Sequence, residues 1–215
     1  MIKLLIFDYD GVLFDTKKIA FNLVKGAVER YCNFKIRNLK EFADLYKSNF
    51  YNAMRKKGAS KKEMENIRDY AIKELKKKEL HIHNGIKSII KKLSQTHNLA
   101  IISSNYDTIM KKNLKKHGIL EDFNFILGVE EGESKRKKIK SLLKKAKASK
   151  AEAVFITDTV GDIIEAKSEH IKTLAVTWGF HKVALLKKSH PDFIVKTPKQ
   201  MLEVMVWLIK IIMVF

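Results

Sequence analysis

The sequence predicts an α/β protein: a parallel sheet core with helices on both faces, plus an inserted small α-helical unit. Three observations carry this. The apolar run Ile2-Lys3-Leu4-Leu5-Ile6-Phe7 stops abruptly at Asp8. Beyond residue 80, short apolar runs alternate with helical patterns, the signature of strands and helices in turn. Residues 16 to about 80 show helical spacing only. Parallel strands covered on both faces are apolar throughout, and these runs are.

The first strand is the run ending at Phe7. In the insert, Ile19, Leu23 and Ala27 recur at helical spacing, as do Phe42, Leu45, Tyr46, Asn49 and Phe50, and then Met64, Ile67, Ala71 and Leu75. Residues 16–81 are therefore expected to form a helical bundle, with 1–15 and 82–215 making the core. Asp15-Thr16 and His81 to Gly85 would be its hinges. Ile86, Ile89, Ile90 and Leu93 mark a buried helix face, and Leu99 to Ile102 a strand. Asp107 is expected to N-cap the next helix and Gly118 to end it. Phe123 to Leu127 reads as a strand, Ile139, Leu142, Leu143 and Ala146 as a helix face, and Ala153 to Ile156 as a strand. A helix around Ile163 to Lys167 follows, then strands at Leu174 to Val176 and Phe193 to Val195. The terminal "MLEVMVWLIKIIMVF" reads as a last helix packed on the sheet, with a homodimer contact or a membrane-surface contact as its other readings.

Composition narrows the class. Hydrophobic residues are 46% of the 215, enough for a core and too many for general disorder. The lone Cys32 permits no intrachain disulfide, which fits a reducing, cytoplasmic setting. The first apolar run is too short for a signal peptide, and no stretch is long enough for a membrane span. Lys and Arg number 43 against 24 Asp and Glu, a net +19 that attracts anions. The lysines come in short clusters such as Lys56-Lys57, Lys76 to Lys78 and Lys144-Lys145. These read as solvated helix faces first and as a nucleic-acid surface second.

Ligand groups in a parallel sheet gather at the carboxyl ends of the strands. Here those ends carry Asp8, then Ser103-Ser104-Asn105, then Thr157-Asp158 with Asp162 four residues on; "GESKRKK" puts Lys135 near a helix start. Asp8, Asp158 and Asp162 are the oxygen donors a hard ion such as Mg²⁺ prefers. A carboxylate can also attack phosphorus, and a second one, Asp10, could move the protons. Gly11 lets the backbone approach a phosphate. A serine hydroxyl and a lysine ammonium would hold its oxygens. Each residue alone is an ordinary turn or cap residue; it is their conjunction that points to chemistry. His81 and His83 sit at a hinge, where packing is the first expectation and metal binding the second. Trp178 is expected to be a core or loop aromatic.

The conjunction resembles the haloacid dehalogenase superfamily of phosphotransferases over nearly the whole chain. "DYDGVLFD" matches its first motif, "LAIISSN" its second with Ser103 at the hydroxyl, and "VFITDTVGDIIEAK" its fourth with Asp158 and Asp162. Lys135 best fits the third, with Lys137 and Lys138 as competitors. "TLAVTWGF" and "HPDFIVKTPKQM" are similar to the tail of phosphoglycolate-phosphatase-like members. The resemblance implies a Rossmann-like core with a mobile helical cap at 16–81. It implies Asp8 as nucleophile and Mg²⁺ ligand, and Asp10 as acid/base that also binds the ion through its carbonyl. Asp158 and Asp162 complete the metal set; Gly11, Ser103, Ser104, Asn105 and Lys135 hold the phosphate. Two departures stand out: Thr157 replaces a frequent Gly, and Arg136 replaces the proline of the usual Lys-Pro. Asp10 argues against dehalogenation.

The expected activity is Mg²⁺-dependent hydrolysis of a small phosphomonoester, phosphoglycolate-like or a nucleotide, through an aspartyl phosphate. A phosphomutase is one alternative, and a non-catalytic phosphate- or nucleic-acid-binding protein on this fold is the other.

Overall fold

A computed structural model describes residues 2–210. In chain order, β1 (Leu4–Phe7) is followed by four helices, α1 (Lys17–Tyr31), α2 (Leu39–Asp44), α3 (Phe50–Lys56) and α4 (Lys61–Leu75). Then come α5 (Ile86–Leu93), β2 (Asn98–Ile102), α6 (Asp107–Lys116), β3 (Phe125–Leu127), α7 (Lys135–Lys145) and β4 (Ala153–Thr157). The chain continues with α8 (Val160–Ser168), β5 (Lys172–Val176), α9 (Val183–Lys188), β6 (Phe193–Val195) and α10 (Pro198–Lys210).

The strands form one parallel sheet in the order β3-β2-β1-β4-β5-β6. The chain builds outward from β1 on one side, then crosses back to β4 and builds outward on the other. β1 is therefore central, with Phe7 level with Ile101 of β2 and Ile156 of β4. The crevice at such a reversal is where open α/β sheets bind ligands. Alternation along β1 divides its side chains between two layers. Leu5 and Phe7 join a cluster with Ile86, Ile90, Met110 and Met201 of α5, α6 and α10. Leu4 and Ile6 join another with Ile139 and Leu142 of α7 and Ala166 of α8. Helices cover both faces, as the apolar strands require.

The four helices after β1 build a second hydrophobic cluster, from Val24, Val28, Phe42, Met54, Met64 and Ile67 among others, which also takes in Val129 and Phe180 from the sheet side. Its entry and exit run side by side. Asp15 N–H donates to His81 O and His83 N–H to Leu13 O, each at 2.9 Å. Phe14 and Ile82 form an antiparallel bridge between them. His83 packs its ring 6.3 Å from Trp178, whose indole N–H donates to Val12 O.

Several boundaries differ from the periodicity. Phe42 to Phe50 is not one helix: α2 ends at Asp44, a 3-10 turn spans Leu45–Lys47, and Ser48 is extended. Asn49, counted above as a helix-face residue, instead caps α3 by accepting from Asn52 N–H, because an Asn side chain at that point competes with helix continuation. Asp107 is not the cap of α6; Tyr106 holds that position, and Asp107 is the first helical residue, well placed for the helix dipole. β3 starts at Phe125 rather than Phe123, since Leu120–Asp122 winds into a 3-10 turn. α8 starts at Val160, earlier than its apolar face suggested, because Thr159 caps it.

α10 packs on α5 and β6. Met201, Met205 and Leu208 are buried, whereas Trp207 is half exposed and reaches Phe193. The rest of the apolar C-terminal run, 211–215, lies outside the described residues. Among the described residues no helix is long and apolar enough to cross a membrane.

The helical unit rests on α8 through a backbone approach. A Cβ on Gly161 would stand 2.4 Å from Ser48 O and 2.9 Å from Tyr46 O. Gly161→Ala gains helix propensity but must push this contact apart. A net loss of about 1–3 kcal/mol is expected, read as a lower urea midpoint at unchanged m-value. A midpoint at or above wild type would show that the unit does not bear on α8.

Candidate active site

Each central strand ends in a turn that delivers polar groups. Asp8 leaves β1 with its backbone N–H still on Ile156 O and its Oδ1 accepting from Tyr9 N–H at 2.7 Å. Three residues on, Gly11 turns the chain at φ +73°, and a Cβ there would lie 2.2 Å from Asp158 Oδ2. Both facts demand glycine.

β2 ends in Ser103, whose Oγ accepts from Asn105 N–H at 3.0 Å. The Asn105 side chain then donates to Asp10 Oδ2 at 2.6 Å, tying this turn to the first. Beyond β4, the Thr157 hydroxyl donates to Asp162 Oδ2 at 2.9 Å and accepts from Thr159 N–H. The threonine that departs from the family pattern thus orients the second carboxylate of its own motif. Asp158 is wholly buried. Its Oδ2 accepts from Phe180 N–H at 2.6 Å, and its Oδ1 has no partner.

α7 supplies the cation. Lys135 Nζ lies 2.5 Å from Asp8 Oδ2 and 2.6 Å from Asp162 Oδ2. Of the three candidate lysines it alone meets the carboxylates. Lys138, one turn on, is buried and donates to Ser103 O. Lys137 is exposed.

A cavity of about 160 Å³ separates these strand ends from the helical unit. Asp8, Asp10, Ser104, Asn105, Lys135 and Asp162 line its floor. Ser103, Gly11 and Asp158 are not in its wall. Ser103 is fully buried beneath it, so the hydroxyl facing the cavity at this turn is that of Ser104.

The electrostatics follow from burial and from the number of charges. Burial raises Asp8 well above the usual carboxylate range, against the pull of Lys135, and raises Asp10 against the nearby Thr16 hydroxyl and Lys135. Burial also lifts Asp158 to about 7, opposed by the Phe180 N–H. At Asp162 burial is overcome by the Lys135 charge and by hydrogen bonds that include Thr157, so this carboxyl falls below its ordinary value. Lys135 itself is raised: burial opposes its charge, but Asp162 and Asp8 hold it. Burial and the neighbouring Lys135 push Lys138 down to about 8. One ammonium thus serves four carboxyl groups, and three of those drift toward the protonated form.

The roof carries residues that the sequence did not flag as functional. Tyr46, Phe50, Tyr51 and Arg68 of the helical unit and Phe180 of the β5 loop line the cavity. Their types are those of any helical core, so spacing offers no signal for them. Phe180 acts at Asp158 through its backbone N–H, which no side-chain pattern encodes. His181 beside it accepts from Val160 N–H through Nδ1, so its Nε2 carries the proton toward Ala43 O at 2.7 Å. His181 thereby links α8 to the helical unit.

Residues 5–176 match the family model described as haloacid dehalogenase-like hydrolase. A phosphoglycolate phosphatase of Synechococcus elongatus is 22% identical over 209 residues, covering 96% of this chain and 98% of that protein. A pyrophosphatase PpaX of Listeria innocua is 23% identical over 207 residues, covering 93% and 94%. In fold, a haloacid dehalogenase-like hydrolase of Streptococcus pneumoniae superposes with a TM-score of 0.79 at 24% identity, over 95% of this chain and 98% of that one.

Removing the shared ammonium exposes what it balances. Lys135→Met keeps the volume but leaves Asp8 and Asp162 buried without their cation. In chelator-treated buffer the variant should lose about 3–5 kcal/mol by urea unfolding, the cost of breaking a buried pair. Wild-type stability in that variant would mean the carboxylates find compensation elsewhere.

Proposed function

The chain belongs to the haloacid dehalogenase-like hydrolases, and from that premise we propose that it hydrolyses small phosphomonoesters through an aspartyl phosphate on Asp8. The observation that carries the reading is the meeting of Asp8, Asp10, Lys135 and Asp162 in the floor of one cavity. The relatives named as a phosphoglycolate phosphatase and a pyrophosphatase support the substrate class.

In the first half-reaction an Asp8 oxygen attacks phosphorus and the bond to the leaving oxygen breaks. That oxygen takes a proton from Asp10, whose carboxyl burial keeps raised and Asn105 holds in place. In the second, water attacks the phosphoryl group on Asp8 and gives its proton to Asp10. The products are the alcohol and phosphate, and both carboxyls return to their starting state. Lys135 offsets negative charge on Asp8 and on the phosphoryl oxygens. Ser104 and Asn105 hold those oxygens from the β2 side.

The donor set fits a hard divalent cation such as Mg²⁺. Every candidate ligand is an oxygen, one ammonium is left to four carboxyls, and Asp158 Oδ1 lacks any partner. Among the described residues no three acidic, His or Cys side chains are yet drawn together around one point. Lys135 lies between Asp8 and Asp162 instead. Asp8, Asp158 and Asp162, with the Asp10 carbonyl, would hold the ion, which supplies positive charge to the phosphoryl oxygens. Residues 16–81 act as the mobile cap, turning on the paired hinge segments and excluding water when closed.

The roles of the two aspartates separate experimentally. Asp8→Asn should abolish turnover and covalent phosphorylation. Asp10→Asn should slow turnover about 100-fold or more, and less for an aryl phosphate, whose leaving group needs little protonation. Both are read by phosphate release and by acid-quench mapping of the phosphoenzyme. Exhaustive EDTA treatment should silence the wild type, and Mg²⁺ should restore it. Labelling at Asp10, or full activity in Asp8→Asn, would overturn the assignment.

A further inference from the structure

The helix that roofs the cavity has one residue out of keeping with its face. Met64, Ile67, Arg68, Ala71, Ile72 and Leu75 of α4 all line the cavity. Their spacing makes a single helical stripe, apolar at every position except Arg68. Arg37, Arg55 and Arg136 each reach a carboxylate. Among the described residues Arg68 reaches none, and its Nε is buried without a hydrogen-bond partner. A buried donor left unpaired costs about 1–3 kcal/mol, so a charged one kept in an apolar stripe implies an acceptor that arrives from outside.

The cavity fixes what that acceptor is. Lys135 is the other cation in its wall, and Asp8 and Asp162 already engage it. Glu133, the acid in the wall nearest the helical unit, is held by Arg55 at 2.6 Å. Arg68 shares the cavity wall with Asp8, Asp10 and Ser104. Its charge acts on the Tyr51 phenol, which burial and Glu133 push up to about 12 while Arg68 and the Ser104 hydroxyl oppose the rise. Ser104 stands at the end of β2, next to Asn105 and its bond to Asp10. One cavity thus holds both the α4 guanidinium and the catalytic carboxylates. A guanidinium offers a planar fork of donors matched to a carboxylate or a phosphate, and apolar surroundings strengthen the pairing.

We propose that Arg68 receives a second anionic group of the substrate, so that the site selects small phosphoesters or anhydrides whose leaving part bears a carboxylate or a further phosphate. This rests on the phosphatase reading above. Arg68 is then a specificity-determining residue: it binds the part of the substrate that departs, and it takes no part in the transfer itself.

The test compares wild type, Arg68→Met and Arg68→Lys on three probes with Mg²⁺: 2-phosphoglycolate, inorganic pyrophosphate and p-nitrophenyl phosphate. The ratio of kcat/KM for a doubly anionic probe to that for p-nitrophenyl phosphate should fall about 10- to 100-fold in Arg68→Met, the loss of a charged hydrogen bond. KM should carry the change, and Arg68→Lys should recover part of it. A fall for 2-phosphoglycolate alone identifies a carboxylate as the partner, and a fall for pyrophosphate alone a phosphate. Urea midpoints of both variants check folding, and a poorly folded Arg68→Met leaves the comparison to Arg68→Lys. An unchanged ratio, or equal losses on all three probes, overturns the proposal. A wild type that cleaves none of the probes overturns the phosphatase reading instead. Calorimetric titration of the same probes then decides on Arg68: weaker binding in Arg68→Met supports the assignment, and equal Kd values sink it.

Discussion

One ammonium group, Lys135 Nζ, holds three separate stretches of chain at a single point. It touches Asp8 at the end of β1 and Asp162 in the first turn of α8, and it stands 5.5 Å from the ring of Phe155 in β4. Charges this deeply buried are costly unless paired and hydrogen-bonded. The surrounding structure satisfies that condition: Tyr9 N–H on Asp8, the Thr157 hydroxyl on Asp162, and Ser134 capping α7 so that Lys135 begins the helix at the right height. The sheet order follows the same requirement, because β1 must lie beside β4 for the two carboxylates to share a cation.

The positive charge elsewhere is dispersed. Lys47, Lys62, Lys77 and Lys111 pair with acids three or four residues away in the sequence. Arg136, Lys140 and Lys150 converge on the single carboxylate of Glu169. The solvent-facing pairs among these contribute little stability each, whereas the Glu169 carboxylate is buried. The surface stays attractive to anions in general, while two cations, Lys135 and Arg68, line the cavity.

Much of this was legible in the sequence, for a physical reason. A strand buried on both faces cannot hold an aspartate, so Asp8 and Asp158 announce the strand ends by breaking apolar runs. Lys135 was the best of three candidate lysines, and setting its competitors aside depends on which turn of α7 meets β1. The sequence put Ser103 at the phosphate-binding hydroxyl, yet Ser103 is fully buried and it is Ser104 that lines the cavity; a tight turn can present either neighbour. Asn49 was hidden by its helical spacing, although Asn is a residue that stops helices as readily as it sits on them. Arg68 interrupts the Met64, Ile67, Ala71 and Leu75 stripe, but nothing in the sequence marks that break as functional. Only the cavity distinguishes it from any other cation on a lysine-rich surface.

The paired hinge segments bear on how the chain acquires this fold. Leu13 bonds to His83 and Asp15 to His81, so the intervening residues form a loop whose ends already touch. During synthesis β1 emerges first, but its partners are β2, at Asn98–Ile102, and β4, at Ala153–Thr157. Pairings across such distances in sequence are slow to form, whereas the helices between hinge and hinge need only local contacts. The order of assembly then departs from the order in the chain at its start, because the first strand is among the later elements to pair. The helical unit condenses early and draws its two ends together. The strand that bears Asp8 waits as an unpaired apolar segment until β2 is made, and the carboxylate cluster closes only with β4 and α8.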